Sequence, residues 1–430
     1  MEHVSTLVAW RASVSIAASV VLLVAACSAS SSSTASQPSP GSPTASTSAT
    51  PAATPAVDQR AERGIGDVPW PQVGPGWMLA VWTPVTPHKP GDQPVPGEPT
   101  LETATNVLYL VSPAGDRYSI TEFPPADGTP GLVDWSADGS HALFRSVHGF
   151  DYTAISIDLR TGARASVPVD ENVTYASPDG NTLLVTDFGG DESATLKRID
   201  MSGTEQLVYP TKDLGGAGRF GGDYLQTPDG TQLVLATENV GNRIAPRTDN
   251  SLVVMGNDGA IIRKLPTPMS EAKCTPVRWW TPGVILTHCG GAGEQLWKVP
   301  LDGGKPSALT GVNTREGNDP HFEDNLGNWD AYELPSGTFL PTAGGCGSTF
   351  VSRMTPDGGT QRMDIPGFSD SAELRGVSGD KLVILGKVGC GGGTSLATYD
   401  PVTNTSNVLL GAPITKGGGI AYVLLYPSGK

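Results

Sequence analysis

Thr174-Tyr175-Ala176-Ser177-Pro178-Asp179-Gly180-Asn181-Thr182-Leu183-Leu184-Val185 decides the fold, because the chain repeats it. Near-superimposable copies stand at Val133-Asp134-Trp135-Ser136-Ala137-Asp138-Gly139-Ser140-His141-Ala142-Leu143-Phe144 and at Tyr224-Leu225-Gln226-Thr227-Pro228-Asp229-Gly230-Thr231-Gln232-Leu233-Val234-Leu235. Each reads as a short strand, a tight turn and a second strand. Proline pre-sets φ in the turn, aspartate caps it, and glycine accepts positive φ. Shorter echoes follow at Trp280-Thr281-Pro282-Gly283, Leu326-Gly327-Asn328 and Ser378-Gly379-Asp380.

A second hairpin turn recurs downstream of each. Its marker residues are Gly115, Gly162, Gly203, Gly259, Gly303, Gly358 and Thr403, spaced by 47, 41, 56, 44, 55 and 45 residues. Two hairpins per unit at a period of about 40–50 residues are the signature of a β-propeller. The expected fold class is therefore all-β, a seven-bladed β-propeller of four-stranded antiparallel sheets over residues 65–430. The first unit offers only three strands, at 77–82, 106–111 and 117–122. The apolar stretch 419–426 is one strand beyond the seventh unit and is expected to complete blade one, removing the open edge of the sheet.

The Ser-Pro-Asp-Gly turn followed by an apolar strand resembles the TolB-type propeller repeat, over residues 66–430. The resemblance implies the propeller alone. The extra α/β domain of TolB has no counterpart here, so its role is not carried over, and the hydrolase domain of propeller-gated peptidases does not fit in the remaining length.

Outward from the repeat, the N-terminal region reads as an address. An uncharged apolar run, 13–26, precedes Cys27, and Ser28 to Val57 contain no charged or aromatic residue. The run is short and alanine-rich for a membrane span, which takes about 20 apolar residues. It suits the h-region of a signal peptide, with Arg11 in the n-region. Val24-Ala25-Ala26-Cys27 resembles a bacterial lipobox, which implies cleavage before Cys27 and lipidation of its thiol. Residues 1–26 are read as a lipoprotein signal peptide and 27–64 as the lipidated Cys plus a disordered Ser/Thr/Ala/Pro stalk, which cannot bury enough apolar surface to offset its ordering entropy. The expected location is the extracytoplasmic face of the cell membrane, held by the lipid. A secretory signal with an incidental Cys and an uncleaved signal anchor are the competing readings.

Composition narrows the partners. The net charge is −15 and the pI about 4.8. Nucleic acid is thereby disfavoured, since its binding depends on neutralising phosphates. Glycine and proline together exceed a fifth of the residues, and no long 3.6-residue periodicity survives uninterrupted, as a turn-rich β domain requires.

Four cysteines remain besides Cys27, and in an exported chain they suggest disulfides. If 280–283 is a four-residue turn, Ile285 opposes Arg278, and in that register Cys289 falls opposite Cys274. Facing Cβ atoms lie about 4.5–5.5 Å apart, close to what a disulfide needs. Cys346 and Cys390 occupy equivalent loops of adjacent units and would staple them.

The loops between second and third strands and between blades are long: 84–105, 189–192, 215–223, 238–250 and 317–324. Rigid scaffolds carry binding in such loops, so this face is expected to engage a ligand or partner. Asp319, His321, Glu323 and Asp324, with Asp191 and Glu192, form the best acidic–His cluster and could hold Ca²⁺ with its oxygen ligands, though solvated loop acids are the simpler reading; no other cofactor is expected. Trp135, Trp279, Trp280, Trp297 and Trp329 read as blade packing before sugar platforms.

Gly216-Ala217-Gly218-Arg219-Phe220-Gly221 has dinucleotide-fingerprint spacing but no helix to follow. Asp187-Phe188-Gly189 lacks the other kinase elements, and no nucleophile-elbow motif is present. The leading functional reading is a non-catalytic interaction module or scaffold for an envelope protein partner. The alternatives are a propeller enzyme (lyase, cyclase or hydrolase) at the central mouth and a glycan- or solute-binding lipoprotein.

Overall fold

The computed structural model describes residues 61–89, 91–93, 96–148, 151–170, 172–177, 180–188, 194–238, 251–368, 370–389, 391–411 and 418–427. The expected signal peptide, Cys27 and nearly all of the stalk lie outside the described residues. So do Pro178, Asp179, Asp191, Glu192, Cys390 and the side chain of Cys346.

The described chain is built from strands. The first sheet holds β1 (Arg63–Gly64), β2 (Met78–Thr83), β3 (Asn106–Val111) and β4 (Arg117–Phe123). Then come β5 (Gly131–Trp135), β6 (His141–His148), β7 (Asp151–Asp158) and β8 (Arg164–Val169), followed by β9 (Asn172–Tyr175), β10 (Thr182–Asp187), β11 (Thr195–Asp200) and β12 (Glu205–Val208). The fourth group is β13 (Arg219–Gln226), β14 (Gln232–Glu238), β15 (Leu252–Gly256) and β16 (Ile261–Lys264). The fifth is β17 (Lys273–Thr281), β18 (Val284–Gly290), β19 (Glu294–Pro300) and β20 (Ser307–Ala308). The sixth is β21 (Tyr332–Leu334), β22 (Gly337–Ala343), β23 (Thr349–Met354) and β24 (Thr360–Arg362). The last is β25 (Ser371–Ser378), β26 (Lys381–Lys387), β27 (Gly393–Asp400) and β28 (Thr405–Gly411), and β29 (Gly419–Leu425) follows it.

Strands β5 to β24 form five antiparallel sheets of four, each in chain order. β29 pairs antiparallel with β2, from Met78 opposite Leu425 to Thr83 opposite Gly419. It thus becomes the strand that β2, β3 and β4 lack, while β1 adds parallel to the outer edge of β4. The pair Gly393 with Ile420 joins this sheet to β25–β28, so the two count as one sheet of nine strands.

Alternation explains the packing. Side chains of a strand point to opposite faces, and these inner strands are apolar on both, as in Leu233-Val234-Leu235-Ala236 and Leu382-Val383-Ile384-Leu385. Each face meets a neighbouring sheet. Leu108, Phe123 and Phe144 bury together between the first two sheets; Leu143, Val167 and Leu183 follow between the next two; and Leu184, Phe220 and Leu235 continue the series. Val234 packs near Ile285, Leu286 near Leu340, and Phe339 near Leu374. The last sheet returns to the first through Val383, Leu385, Met78 and Ile420. Each such side chain contributes about 1.5–3 kcal/mol when fully buried.

The third-to-fourth turns follow the spacing read from the sequence. Gly162 holds φ of +72° in one of them. In the last, Thr403 is not the left-handed residue; its neighbour Asn404 is, at φ +52°, a conformation asparagine tolerates better than most. One first-to-second turn differs from expectation. Leu326-Gly327-Asn328 is not a hairpin turn: Asn328 bridges to Thr342 at the far end of β22. The turn there is Pro335-Ser336, between Leu334 and its partner Gly337.

Candidate binding site at the first-strand ends

β5, β9, β13, β17, β21, β25 and β29 are the first strands of successive sheets, and side chains near their C-terminal ends join each to the next. Asp134 Oδ2 accepts from the Tyr175 N–H at 2.9 Å. The hydroxyls of Thr174 and Tyr224 meet at 2.7 Å, and Gln226 Nε2 donates to the Tyr175 carbonyl at 2.6 Å. Trp279 Nε1 donates to the Gln226 carbonyl at 2.7 Å. The Arg278 guanidinium lies 4.1 Å over the Tyr332 ring. Tyr332 Oη donates to the Arg375 carbonyl at 3.3 Å, and Arg375 Nη2 donates to the Val423 carbonyl at 2.8 Å. Tyr426, just past β29, packs edge-on against Trp135 with centroids 5.2 Å apart.

Two cavities open at this end of the sheets. The larger, about 710 Å³, is walled by Thr227, Arg278, Trp279, Trp280, Tyr332 and Val377 among others. The second, about 290 Å³, is walled by Asp134, Tyr175, Tyr224 and Pro427 among others. Both share Thr227 and Pro228, so they meet in one trough along the first-strand ends. The larger cavity falls in the range of small-molecule sites.

Charged and titratable groups line or back this trough: Arg278 and Tyr332 line the larger cavity and Tyr224 the smaller. Arg278 Nη1 is buried and has no hydrogen-bond partner among the described residues. The carboxylate facing it, Asp330 Oδ2, stands 3.9 Å away. Burial pushes the Asp330 carboxyl up from its ordinary value, and the Arg278 charge only partly counters this. Burial likewise raises the Tyr332 and Tyr224 hydroxyls far above the usual phenol range, keeping both neutral. Asp229 and Glu333 are exposed, and Asp229 spends Oδ1 on the N–H and hydroxyl of Thr231.

The loop face expected to bind lies partly outside the described residues, including 189–193 and 239–250. The expectation favours the loops between second and third strands. The cavity of about 710 Å³ lies at the opposite ends of the strands, around the first-to-second turns Thr227–Thr231 and Thr281–Gly283, and one of about 310 Å³ lies beside the β4–β5 connection and the end of β6. In the described part of these loops, Thr237 Oγ1 donates to the Ala217 carbonyl of the inter-sheet connection.

Of the cation candidates, Asp191 and Glu192 lie outside the described residues, and the other four are placed as follows. Asp319 Oδ1 accepts the His321 N–H, and Glu323 Oε2 accepts the Arg362 N–H. His321 Nδ1 lies 3.3 Å from Asp357 in the β23–β24 turn. Asp324 adopts φ +47°. Among the described residues no three His, Cys, Asp or Glu side chains cluster to hold a metal. The Gly216–Gly221 segment enters β13 rather than a helix, so no dinucleotide fingerprint is formed. Cys274 and Cys289 are joined by a disulfide; pairing of Cys346 with Cys390 lies outside the described residues. Trp135 is buried, Trp279 and Trp280 are half-buried walls of the larger cavity, and Trp329 is exposed.

No protein-family model matches the chain, and no curated protein matches it. Solved structures do. The β-propeller domain of the Trilobed protease from Pyrococcus furiosus is 12% identical, with 79% of this chain and 93% of that one covered and a TM-score of 0.47. An acylaminoacyl peptidase in complex with a chloromethyl ketone is 13% identical over 78% of this chain, with a TM-score of 0.46; the match spans 51% of that enzyme. Oligogalacturonate lyase from Vibrio parahaemolyticus is 13% identical, covering 79% and 87%, with a TM-score of 0.45. The likeness is one of fold, a β-propeller. It also corrects the expectation of a domain without catalysis. Propeller peptidases and a lyase are among the solved structures that share this fold, at 12–16% identity.

Proposed function

We propose that this chain is a lipid-anchored, extracytoplasmic propeller that binds an envelope component in the trough at its first-strand ends. The trough carries this reading: a walled cavity of about 710 Å³, continuous with a second, beside an arginine whose charge is incompletely neutralised. A seven-bladed ring over 65–430 is part of the proposal, supported by the repeat and by the series of links between first strands. A signal peptide at 1–26, lipid on Cys27 and a stalk at 27–64 supply the location, supported by the sequence pattern alone.

Two measurements test it. Cys27→Ser in the expressed chain is expected to abolish lipid attachment and release the protein from membranes. Membrane retention without lipid would overturn the anchor. For the trough, a photo-crosslinker at Thr231 of the full-length chain is compared with one at exposed Val402. The Thr231 probe is expected to trap an envelope component that the Val402 probe does not. Identical products from both would overturn the trough reading.

A second reading rests on Asp330. A carboxyl raised by burial beside Arg278 and Tyr332 is the kind of group a general acid requires. On this reading the trapped component is turned over, and loss of turnover in Asp330→Asn with binding retained distinguishes the two.

A further inference from the structure

We infer that the larger cavity takes a ligand with a single carboxylate on an apolar body, the carboxylate docking on Arg278. The inference rests on the trough being the binding site and adds the chemical class of its occupant. Arg278 comes first. Its guanidinium is placed by stacking on Tyr332, its Nη1 makes no hydrogen bond among the described residues, and the acid facing it is 3.9 Å away, beyond hydrogen-bond reach. Nη1 itself is buried against Asp330, while the side chain as a whole is 35% exposed and lines the cavity, so a ligand meets the guanidinium beyond Nη1. A guanidinium offers five donors in a plane that matches a carboxylate. Asp330 is 16% exposed, and it and Tyr332 complete the surround of that charge.

The walls define the rest. Trp279 uses its indole N–H on Gln226, leaving ring surface to the cavity, and Trp280, Val377, Pro228 and Pro282 continue an apolar lining. Asp229 and Glu333 on the wall and a net charge of −15 select against a polyanion. A monoanion with an apolar body satisfies both constraints. Two sources share that chemistry, a small organic acid and the C-terminus of a polypeptide ending in an apolar side chain.

Calorimetric titration of the full-length chain in detergent tests this with four probes. They are 3-phenylpropionate, its amide, a tripeptide ending in Leu or Phe with a free carboxylate, and the same tripeptide amidated. The expected result is binding of at least one free acid, with its amide at least tenfold weaker. Which acid binds identifies the source. Arg278→Gln is expected to remove that difference. Because the substitution also strips Tyr332 of its stacking partner, the deciding comparison is acid against amide on the unaltered chain. Equal binding of acid and amide overturns the carboxylate inference and leaves the trough reading standing. Absence of binding by all four probes also overturns it, and the crosslinking comparison then decides the trough on its own.

Discussion

Cys274 on β17 stands directly opposite Cys289 on β18, and a disulfide joins them across the ladder. Both side chains are fully buried, beside Ala272. The sequence separation is 15 residues. Closing a loop of that length removes unfolded-state entropy worth about 3 kcal/mol. The double variant Cys274→Ala/Cys289→Ala is expected to lose about that much in urea denaturation under non-oxidising handling. An unchanged midpoint would show that the β17–β18 ladder needs no covalent support.

The same pair shows how far the sequence reaches. Register counting from the Trp280–Gly283 turn puts Ile285 opposite Arg278 and Cys289 opposite Cys274. Ile285 in fact pairs with Trp279, because the hairpin is tighter than a four-residue turn allows. Irregularities between Pro276 and Arg278 and between Trp279 and Thr281 take up the difference, so the cysteines still face each other. Strand existence and turn chemistry are local, and both are legible in the sequence. The pairing of Arg278 with Asp330 is not, because the two belong to different repeats and only inter-sheet packing brings them together. The available signal is Arg278 itself, a charge set just before Trp279-Trp280 at a strand end.

β29 closes the first sheet, and Ile420 is its most demanding residue. It is 1% exposed, pairs with Trp82 and makes the ladder contact to β27. Ile420→Ala is expected to cost about 2–5 kcal/mol, the range for truncating a buried aliphatic. Hydrogen exchange should rise in β2 and β29 together, since an unpaired β2 would expose a sheet edge. Exchange confined to residues 419–425 would contradict a shared closing unit.

The turn aspartates contribute to acid sensitivity. The Ser202 hydroxyl first, then the N–H groups of Ser202 and Thr204, hold the Asp200 carboxyl below its ordinary value. Thr227 does the same chiefly for Asp229, Thr355 for Asp357, and the Val402 N–H for Asp400. A lowered folded-state value stabilises above the unfolded value of about 3.9 and fades as pH falls through the folded value. These carboxylates stand on exposed turns, where solvent screens their interactions, so the melting temperature is expected to fall modestly below about pH 4 on their account. Replacing all four by Asn should lower it at pH 7 and flatten that acid slope. A variant with the same acid slope would mean other carboxylates dominate.

Asp330 carries the opposite sign. Burial raises its carboxyl, so the folded state disfavours the ionised form, and Arg278 at 3.9 Å compensates only in part. The penalty is present above the raised folded value and disappears as pH falls below the unfolded value of about 3.9. Asp330→Asn keeps an acceptor for the Ala331 N–H, which Oδ1 now takes at 2.7 Å, and removes the charge. The variant is expected to melt above the parent at pH 7 and to match it near pH 3. Removal of the counter-charge should also tighten a carboxylate ligand on Arg278 at neutral pH, by several-fold or more in the same titration. A variant less stable than the parent at pH 7 would mean that ionised Asp330 is the counterion Arg278 requires, and the cavity would then have no charge left for a ligand.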